Sequence, residues 1–114
     1  MKLNLAPLVV TGVGVSAPIP TDSRAGSPTF GISCVVSAAN VCTYEVQYTI
    51  DDVFAQGYNP ATGNWTIVPA FPATTAATQQ SSVSQFATAF RLNVLTSTGT
   101  VSIQIFQSDS MLGA

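Results

Sequence analysis

Apolar and polar side chains alternate from Val41 to Ile50, and this pattern constrains the fold more than any other feature of the chain. A strand over this segment places five apolar side chains on one face: Cys42, Tyr44, Val46, Tyr48 and Ile50. Its other face carries four polar ones: Thr43, Glu45, Gln47 and Thr49. A period of two is typical of a strand with one buried face. The segment therefore predicts a β-strand that packs on a core.

Five further segments have the β-branched or alternating composition of strands: Leu8–Ser16, Thr29–Val36, Trp65–Val68, Phe86–Thr96 and Thr100–Gln107. Turn residues separate them, no segment predicts a helix of ordinary length, and Val53–Gly57 predicts at most a helical turn. Many short strands with turns between them predict an all-β fold. We expect a jelly-roll-like sandwich of about 6–8 antiparallel strands.

The 114 residues fit one domain. Residues 1–28 predict an extended N-terminal strand or arm followed by a Pro/Gly-rich loop, residues 29–107 the β-sandwich core, and residues 108–114 a C-terminal tail. Ala70–Ser84 has no period and predicts a loop. The short turns at Ser37–Asn40 and Ser97–Gly99 predict two β-hairpins, each joining the strands on either side.

Cys34 and Cys42 are the only cysteines and lie on the two arms of the first predicted hairpin. A cross-strand disulfide is conceivable there, whereas two cysteines are too few for a zinc site. Buried free cysteines are common and pack as small apolar groups. We favour two reduced cysteines in the core.

Charged residues make up only 7% of the chain, against about 25% in an average globular domain, and the net charge is −2. Such a surface suits a protein that is covered by partners, and equally a Ser/Thr-rich extracellular β domain. Three Lys and Arg residues form no basic patch, which excludes nucleic acid as the main partner. Pro7 and Pro18 interrupt the most apolar stretch, Leu3–Ile19, so neither a transmembrane helix nor a signal peptide is expected, and no membrane partner.

Histidine is absent, which removes Ser–His and Cys–His catalysis and the commonest metal ligand. The carboxylates are Asp22, Glu45, Asp51, Asp52 and Asp109. Asp51 and Asp52 end a predicted strand and fit a turn or an N-cap. Glu45 is expected to be solvated or paired across an interface, and Arg91 to pair with Glu45 or with another chain. We predict no enzyme and no catalytic, cofactor-binding or metal-binding residues.

Asn64-Trp65-Thr66 matches the N-glycosylation sequon, a pattern that is frequent by chance. The aromatic set of Trp65, Tyr44, Tyr48 and Tyr58 could line a sugar-binding groove. Packing in the core of a β-sandwich is the favoured interpretation of these side chains.

The strand from Tyr44 to Asp52 resembles the V-Q-Y-T-L-D-D segment of small virion proteins of tailed bacteriophages. In those proteins a Trp-containing strand follows, as at Asn64-Trp65-Thr66, and then a strand like Phe90–Val94. A Thr/Gly-rich turn and an alternating apolar strand close the chain, as in Gly99–Phe106. The resemblance covers about residues 35–107 in the same order.

This resemblance implies a head-decoration or cement protein on the capsid exterior, assembled in the host cytoplasm. Such proteins adopt jelly-roll or related folds, commonly form homotrimers and clamp neighbouring major capsid subunits. The N-terminal 28 residues lie outside the resemblance, and we infer that an arm there would suit capsid binding. A tail, neck or receptor-binding component of the virion is the main alternative, and a carbohydrate-binding sandwich is a further one.

Overall fold

The computed structural model describes residues 3–4, 8–21, 29–38, 41–73, 75–84 and 87–107. These residues form ten strands: β1 Leu3–Asn4, β2 Leu8–Thr11, β3 Gly14–Val15, β4 Ile19–Pro20, β5 Thr29–Val36, β6 Cys42–Thr49, β7 Thr66–Ile67, β8 Gln79–Ser84, β9 Ala89–Ser97 and β10 Thr100–Gln107. A single 3-10 turn spans Pro60–Thr62. No described residue belongs to a helix long and apolar enough to cross a membrane.

The strands form two antiparallel sheets with the strand order of a jelly roll. Sheet 1 has the order β1-β10-β5-β8, with β2 also on β10, and sheet 2 the order β3-β9-β6-β7, with β4 also on β9. Since β1 and β2 pair with successive parts of β10, and β3 and β4 with β9, each pair fills one edge position. When β1 with β2, and β3 with β4, are each counted as one strand, the sandwich has eight strands in chain order. The two sheets then have the orders 1-8-3-6 and 2-7-4-5, which is a double Greek key. This confirms the predicted jelly-roll-like sandwich.

The core lies between the two sheets and is lined by the alternating positions of their central strands. Sheet 1 contributes seven buried side chains from β5 and β10: Phe30, Ile32, Cys34, Val36, Val101, Ile103 and Ile105. Sheet 2 contributes six from β6 and β9: Cys42, Tyr44, Val46, Phe90, Leu92 and Val94. The rings of Phe30 and Phe90 meet edge to face across the sheets, with centroids 5.0 Å apart. The predicted alternation is thus confirmed in β5, β9 and β10 and over the first part of β6.

The end of β6 departs from its predicted pattern. Tyr48 is only half-buried and Ile50 is 65% exposed, whereas Thr49 is buried. Strand β6 ends at Thr49, and the hydroxyl of Thr49 accepts a hydrogen bond from the Asp51 N–H at 3.0 Å. The chain therefore turns before Ile50, and alternation no longer determines which side chain is buried.

Both predicted hairpins are wrong, because the strands on either side of each turn belong to different sheets. Strands β5 and β10 lie in sheet 1, whereas β6 and β9 lie in sheet 2. The two crossing turns pack on each other: the Ser37 N–H donates to the Thr100 carbonyl at 2.9 Å, and the Thr98 N–H to the Val41 carbonyl at 2.8 Å. A strand that crosses to the opposite sheet buries every second side chain, as a strand of a hairpin does, so both connections give the same sequence pattern.

The predicted loop at 70–84 is also wrong over its second half. Gln79–Ser84 forms strand β8, which pairs with β5 from Thr29 to Cys34. Val83 is the one buried apolar side chain of β8, and the rest of the strand is Gln and Ser. An edge strand with so few apolar residues gives almost no periodic signal in the sequence.

The described residues of the N-terminal region, 3–4 and 8–21, pair with both sheets of the sandwich. The chain leaves sheet 1 after Thr11 and joins sheet 2 at Gly14. Gly12 makes this crossing with a φ of 77°, a left-handed conformation that favours glycine. Residues 22–28 of the predicted Pro/Gly-rich loop, the tail at 108–114 and Phe86 lie outside the described residues.

Cys34 and Cys42 are free and buried, as the sequence favoured, and they lie on strands of different sheets, not on the two arms of a hairpin. Burial raises the pKa of the Cys34 thiol to about 12, and a hydrogen bond with Tyr44 acts in the opposite direction. A buried thiol that is not ionised is a poor nucleophile.

We expect both thiols to react with 5,5′-dithiobis(2-nitrobenzoate) at pH 8 at least about a hundredfold more slowly in native protein than in denaturant, because reaction requires opening of the core. Intact-mass spectrometry after alkylation in denaturant without reductant should find two labels. A single fast-reacting thiol in native protein, or the absence of labels in denaturant, would contradict this arrangement.

Candidate interaction surface

Every charged side chain that the structure describes lies on or beside the outer face of sheet 2. They are Glu45 on β6, Arg91 on β9, and Asp51 and Asp52 in the segment between β6 and β7. This segment, residues 50–65, is called the 50–65 loop below. The charges form one region of contacts between the loop and the sheet, and the rest of the described surface carries none.

Arg91 joins the 50–65 loop to the sheet. Its Nε donates to the Gln47 Oε1 on the neighbouring strand at 2.5 Å, and its Nη1 donates to the Pro60 carbonyl in the loop at 3.2 Å. The guanidinium carbon lies 4.3 Å from the centroid of the Trp65 ring, within cation–π range. The Trp65 Nε1–H donates to the same Pro60 carbonyl at 3.1 Å. One arginine thus binds a sheet residue, a loop carbonyl and an aromatic ring.

Glu45 is only 6% exposed, so the prediction that it is solvated is wrong. Its Oε2 accepts hydrogen bonds from the Gln47 amide and, at 3.4 Å, from the Asn93 amide. Burial lowers the pKa of Arg91, while Tyr58 and Glu45 act in the opposite direction. Glu45 and Arg91 therefore attract each other electrostatically, and each also forms a hydrogen bond with the Gln47 side chain.

The two aspartates organise the 50–65 loop, which confirms the turn and cap roles predicted for them. The Asp52 Oδ1 accepts from the Phe54 N–H at 3.1 Å, as an N-cap does. The Asp51 Oδ2 accepts from the Asn64 N–H at 2.8 Å and from the Tyr58 hydroxyl at 3.5 Å. Asp51 therefore joins the two ends of the loop.

These bonds, above all the one from the Asn64 backbone, hold the pKa of Asp51 below its usual value. The ionised form is thus favoured in the folded state. Its stabilisation is present above the unfolded pKa of about 3.9 and is lost as the pH falls through the lower folded pKa.

We expect Asp51→Asn to be less stable than the wild type at pH 7, with the difference disappearing in strong acid. Urea unfolding at a series of pH values measures this. Asp52→Asn is the matched control, because Asn caps a turn about as well as Asp, and it should stay close to wild type at neutral pH. An Asp51→Asn deficit that does not change with pH would contradict the prediction.

The aromatic side chains of the possible sugar-binding set do not all lie on one surface. Tyr44 is fully buried in the core, and its hydroxyl donates to the Ala77 carbonyl at 2.6 Å. This confirms core packing for Tyr44. Trp65 is part of the loop contacts, with Arg91 over its ring. The sequon residues Asn64 and Thr66 are both exposed.

The outer face of sheet 1 is uncharged throughout its described residues. Its outward positions on β2, β10, β5 and β8 are occupied by small polar, amide and apolar side chains: Val9, Thr11, Thr100, Ser102, Gln104, Phe106, Thr29, Gly31, Ser33, Val35, Gln80, Ser82 and Ser84. Ser102 pairs with Val9 on one side and Val35 on the other, so a small hydroxyl side chain lies between two valines on this face. Val9, Val35 and Phe106 are all exposed. We call this surface the uncharged face.

A shallow depression of about 400 Å³ lies on the uncharged face where Gly31 has no side chain beside Phe106. Its lining comes from three adjacent strands: Gly31, Ile32, Gln80, Ser81, Ser82 and Phe106. Apolar atoms make up most of its lining surface. It can hold an apolar side chain of a partner.

The sequence did not point to this surface. Arg91 and Glu45 were singled out because charge is scarce, and the structure brings both to the outer face of sheet 2. The uncharged face is made mostly of Ser, Thr, Gln and Gly, with two valines and one phenylalanine, and this composition carries no signature of function. The one signal in the sequence was the low charge. It is a property of the overall composition and does not indicate which surface is uncharged.

Within the described ranges no three or more His, Cys, Asp or Glu side chains are grouped so as to hold a metal ion. The expectations of no metal, no cofactor and no catalysis stay predictions. Comparison with known proteins gives no match, either to a protein-family model, to a curated protein or to a solved structure.

Proposed function

We propose that this chain is a structural virion protein that decorates or cements a bacteriophage capsid by binding neighbouring major capsid subunits. The uncharged face is the observation that carries the proposal. Burying a charge costs much more free energy than burying a hydroxyl or an amide that can form a new hydrogen bond. A sheet face with no described charge is therefore easily covered by another protein.

The distribution of the described charges supports the same role. Arg91 and Asp51 fix the 50–65 loop on the opposite sheet, and Glu45 bonds to Gln47 and Asn93 within that sheet. They do not face the proposed contact surface. A decoration protein needs a rigid body with one face free for contact, and a sandwich of this kind provides it.

The strand order and the resemblance add to the proposal. Jelly rolls occur in viral capsid proteins and in lectins, although a fold alone does not determine a function. Two segments that carry the resemblance to phage virion proteins, Tyr44–Asp52 and Phe90–Val94, are paired in sheet 2, with Tyr44 opposite Val94 and Tyr48 opposite Phe90. They are joined in the fold as well as ordered in the sequence.

Quantitative mass spectrometry of purified particles of the encoding phage tests the role. We expect a copy number comparable to that of the major capsid protein. A few copies per particle would indicate the tail, neck or receptor-binding alternative instead. Absence from purified particles would reject a virion role altogether.

A matched pair of charge substitutions tests the contact surface. Gln80 is exposed on the uncharged face, and Gln56 is exposed in the 50–65 loop on the other side of the sandwich. Each can be changed to Glu without a change in shape. We expect Gln80→Glu to weaken binding to undecorated capsids about tenfold or more, which is about 1.4 kcal/mol, and Gln56→Glu to leave it within about twofold. Equal effects of the two variants would place the contact elsewhere.

A further inference from the structure

Strand β8 is an edge of sheet 1 with no described strand on its far side. The hydrogen bonds of the neighbouring strand β5 show which backbone N–H and C=O groups point toward β8. The Val36 N–H donates to the Thr78 hydroxyl, next to β8, at 3.2 Å, and the following Ser37 N–H donates to the Thr100 carbonyl of β10 at 2.9 Å. Since this direction alternates along a strand, the even-numbered residues of β5 hydrogen-bond to β8.

The register then fixes which residues of β8 face outward. Even-numbered residues of β5 are opposite odd-numbered residues of β8, in the pairs Phe30–Val83, Ile32–Ser81 and Cys34–Gln79. The intervening Gln80, Ser82 and Ser84 therefore point their N–H and C=O groups away from β5, toward the open edge. These are three donors and three acceptors in the geometry that a further strand requires.

We propose that two copies of this chain pair through β8 as antiparallel strands, with the two-fold axis at Ser82. Ser82 then lies opposite Ser82 of the second copy, and Gln80 lies opposite Ser84. All three outward-facing residues are used, which gives about six hydrogen bonds between the copies. A register centred on Ser81 uses only Gln80 and Ser82 and gives about four.

The side chains of β8 are compatible with self-pairing. A two-fold contact places like residues near each other, so a charged strand would meet its own charge. Natural edge strands are protected from pairing by Lys, by Pro or by inward charges. Strand β8 has the sequence Gln-Gln-Ser-Ser-Val-Ser and contains none of these. The second copy would add its own Ser and Gln side chains to the uncharged face.

This pairing produces a dimer, whereas the resemblance to phage decoration proteins implies a homotrimer. The inference does not depend on the proposed virion role, because it concerns the isolated chain. A monomer or a trimer in solution would overturn the pairing and leave the capsid proposal to its own test.

Cysteine cross-linking tests the register directly. Two Ser82 residues in the proposed pair have Cα atoms about 5.5 Å apart, within the range of a disulfide. Two Gln80 residues are about 14–15 Å apart, because four residues along the strand and the spacing between the strands separate them. Under mild oxidation we expect Ser82→Cys to form disulfide-linked dimers at least about tenfold faster than Gln80→Cys, which is the control on the same strand and face. Equal rates, or no cross-link in either variant, would overturn the pairing.

Sedimentation equilibrium tests the association itself. We expect a monomer–dimer equilibrium for the wild type, with a dissociation constant raised about tenfold or more by Ser82→Lys, because the two lysines meet at the axis. Ser102→Lys adds the same charge to the same face two strands away from β8 and should change the constant less than about twofold. Equal weakening by both lysines would contradict a contact centred on β8.

Discussion

Replacing Phe90 with alanine is expected to lower the free energy of unfolding by about 3–5 kcal/mol, the usual cost of removing a buried phenyl ring. Phe90 is fully buried on β9, one of the two central strands of sheet 2, and its ring meets Phe30 of sheet 1 edge to face. The substitution removes the apolar contacts and leaves a cavity between the sheets. Domains of this size are stable by about 5–15 kcal/mol, so a large share of the stability is at risk.

Urea unfolding followed by circular dichroism measures this loss. Phe54→Ala is the matched control, because Phe54 is 75% exposed in the 50–65 loop and the same atoms are removed from solvent. We expect it to change the free energy of unfolding by less than about 0.5 kcal/mol. A double-mutant cycle with Phe30→Ala should give a coupling of about 0.5–1.5 kcal/mol for the aromatic pair. A loss below about 1 kcal/mol for Phe90→Ala would mean that the two sheets do not pack as described.

The faces of the central strands could be predicted from the sequence, because burial of one face imposes a period of two. Thr29–Val36 and Thr100–Gln107 are strands with the predicted bounds. Strand pairing could not be predicted in the same way. The turns at 37–41 and 98–99 are short enough for a hairpin, but each carries the chain to the other sheet. The periodic pattern is the same in both cases, so the choice of partner depends on the packing of the whole sandwich.

Strand β8 was missed for a different reason. Its neighbours supply the apolar surface, and β8 needs only Val83 to complete its buried side. The burial of Glu45 was also beyond the sequence, because Glu45 occupies a polar-face position of β6 and yet is only 6% exposed. Alternation identifies a polar face, and it does not tell whether another segment lies on that face.

Arg91 is the residue of the loop contacts with the largest expected effect. It holds three partners at once: Gln47 on β6, the Pro60 carbonyl and the Trp65 ring. A hydrogen bond to a charged group contributes about 1.5–3 kcal/mol and a cation–π contact about 0.5–2 kcal/mol. Partial exposure to solvent reduces these values. We expect Arg91→Ala to lower the free energy of unfolding by about 2 kcal/mol.

In Arg91→Ala the 50–65 loop should also open before the sandwich unfolds, because the Arg91 side chain bonds the Pro60 turn to the sheet. Chymotrypsin under native conditions tests this at Phe54, Tyr58 and Trp65, and we expect cleavage there at least about tenfold faster in Arg91→Ala. Arg91→Lys keeps the charge and loses the planar fork of donors, so its cleavage rate should lie between those of the wild type and Arg91→Ala. If Arg91→Lys behaves as wild type, charge alone holds the loop, and the directed hydrogen bonds and ring contact contribute little. If neither variant is cleaved faster, the aspartate bonds at the ends of the loop are sufficient to fix it.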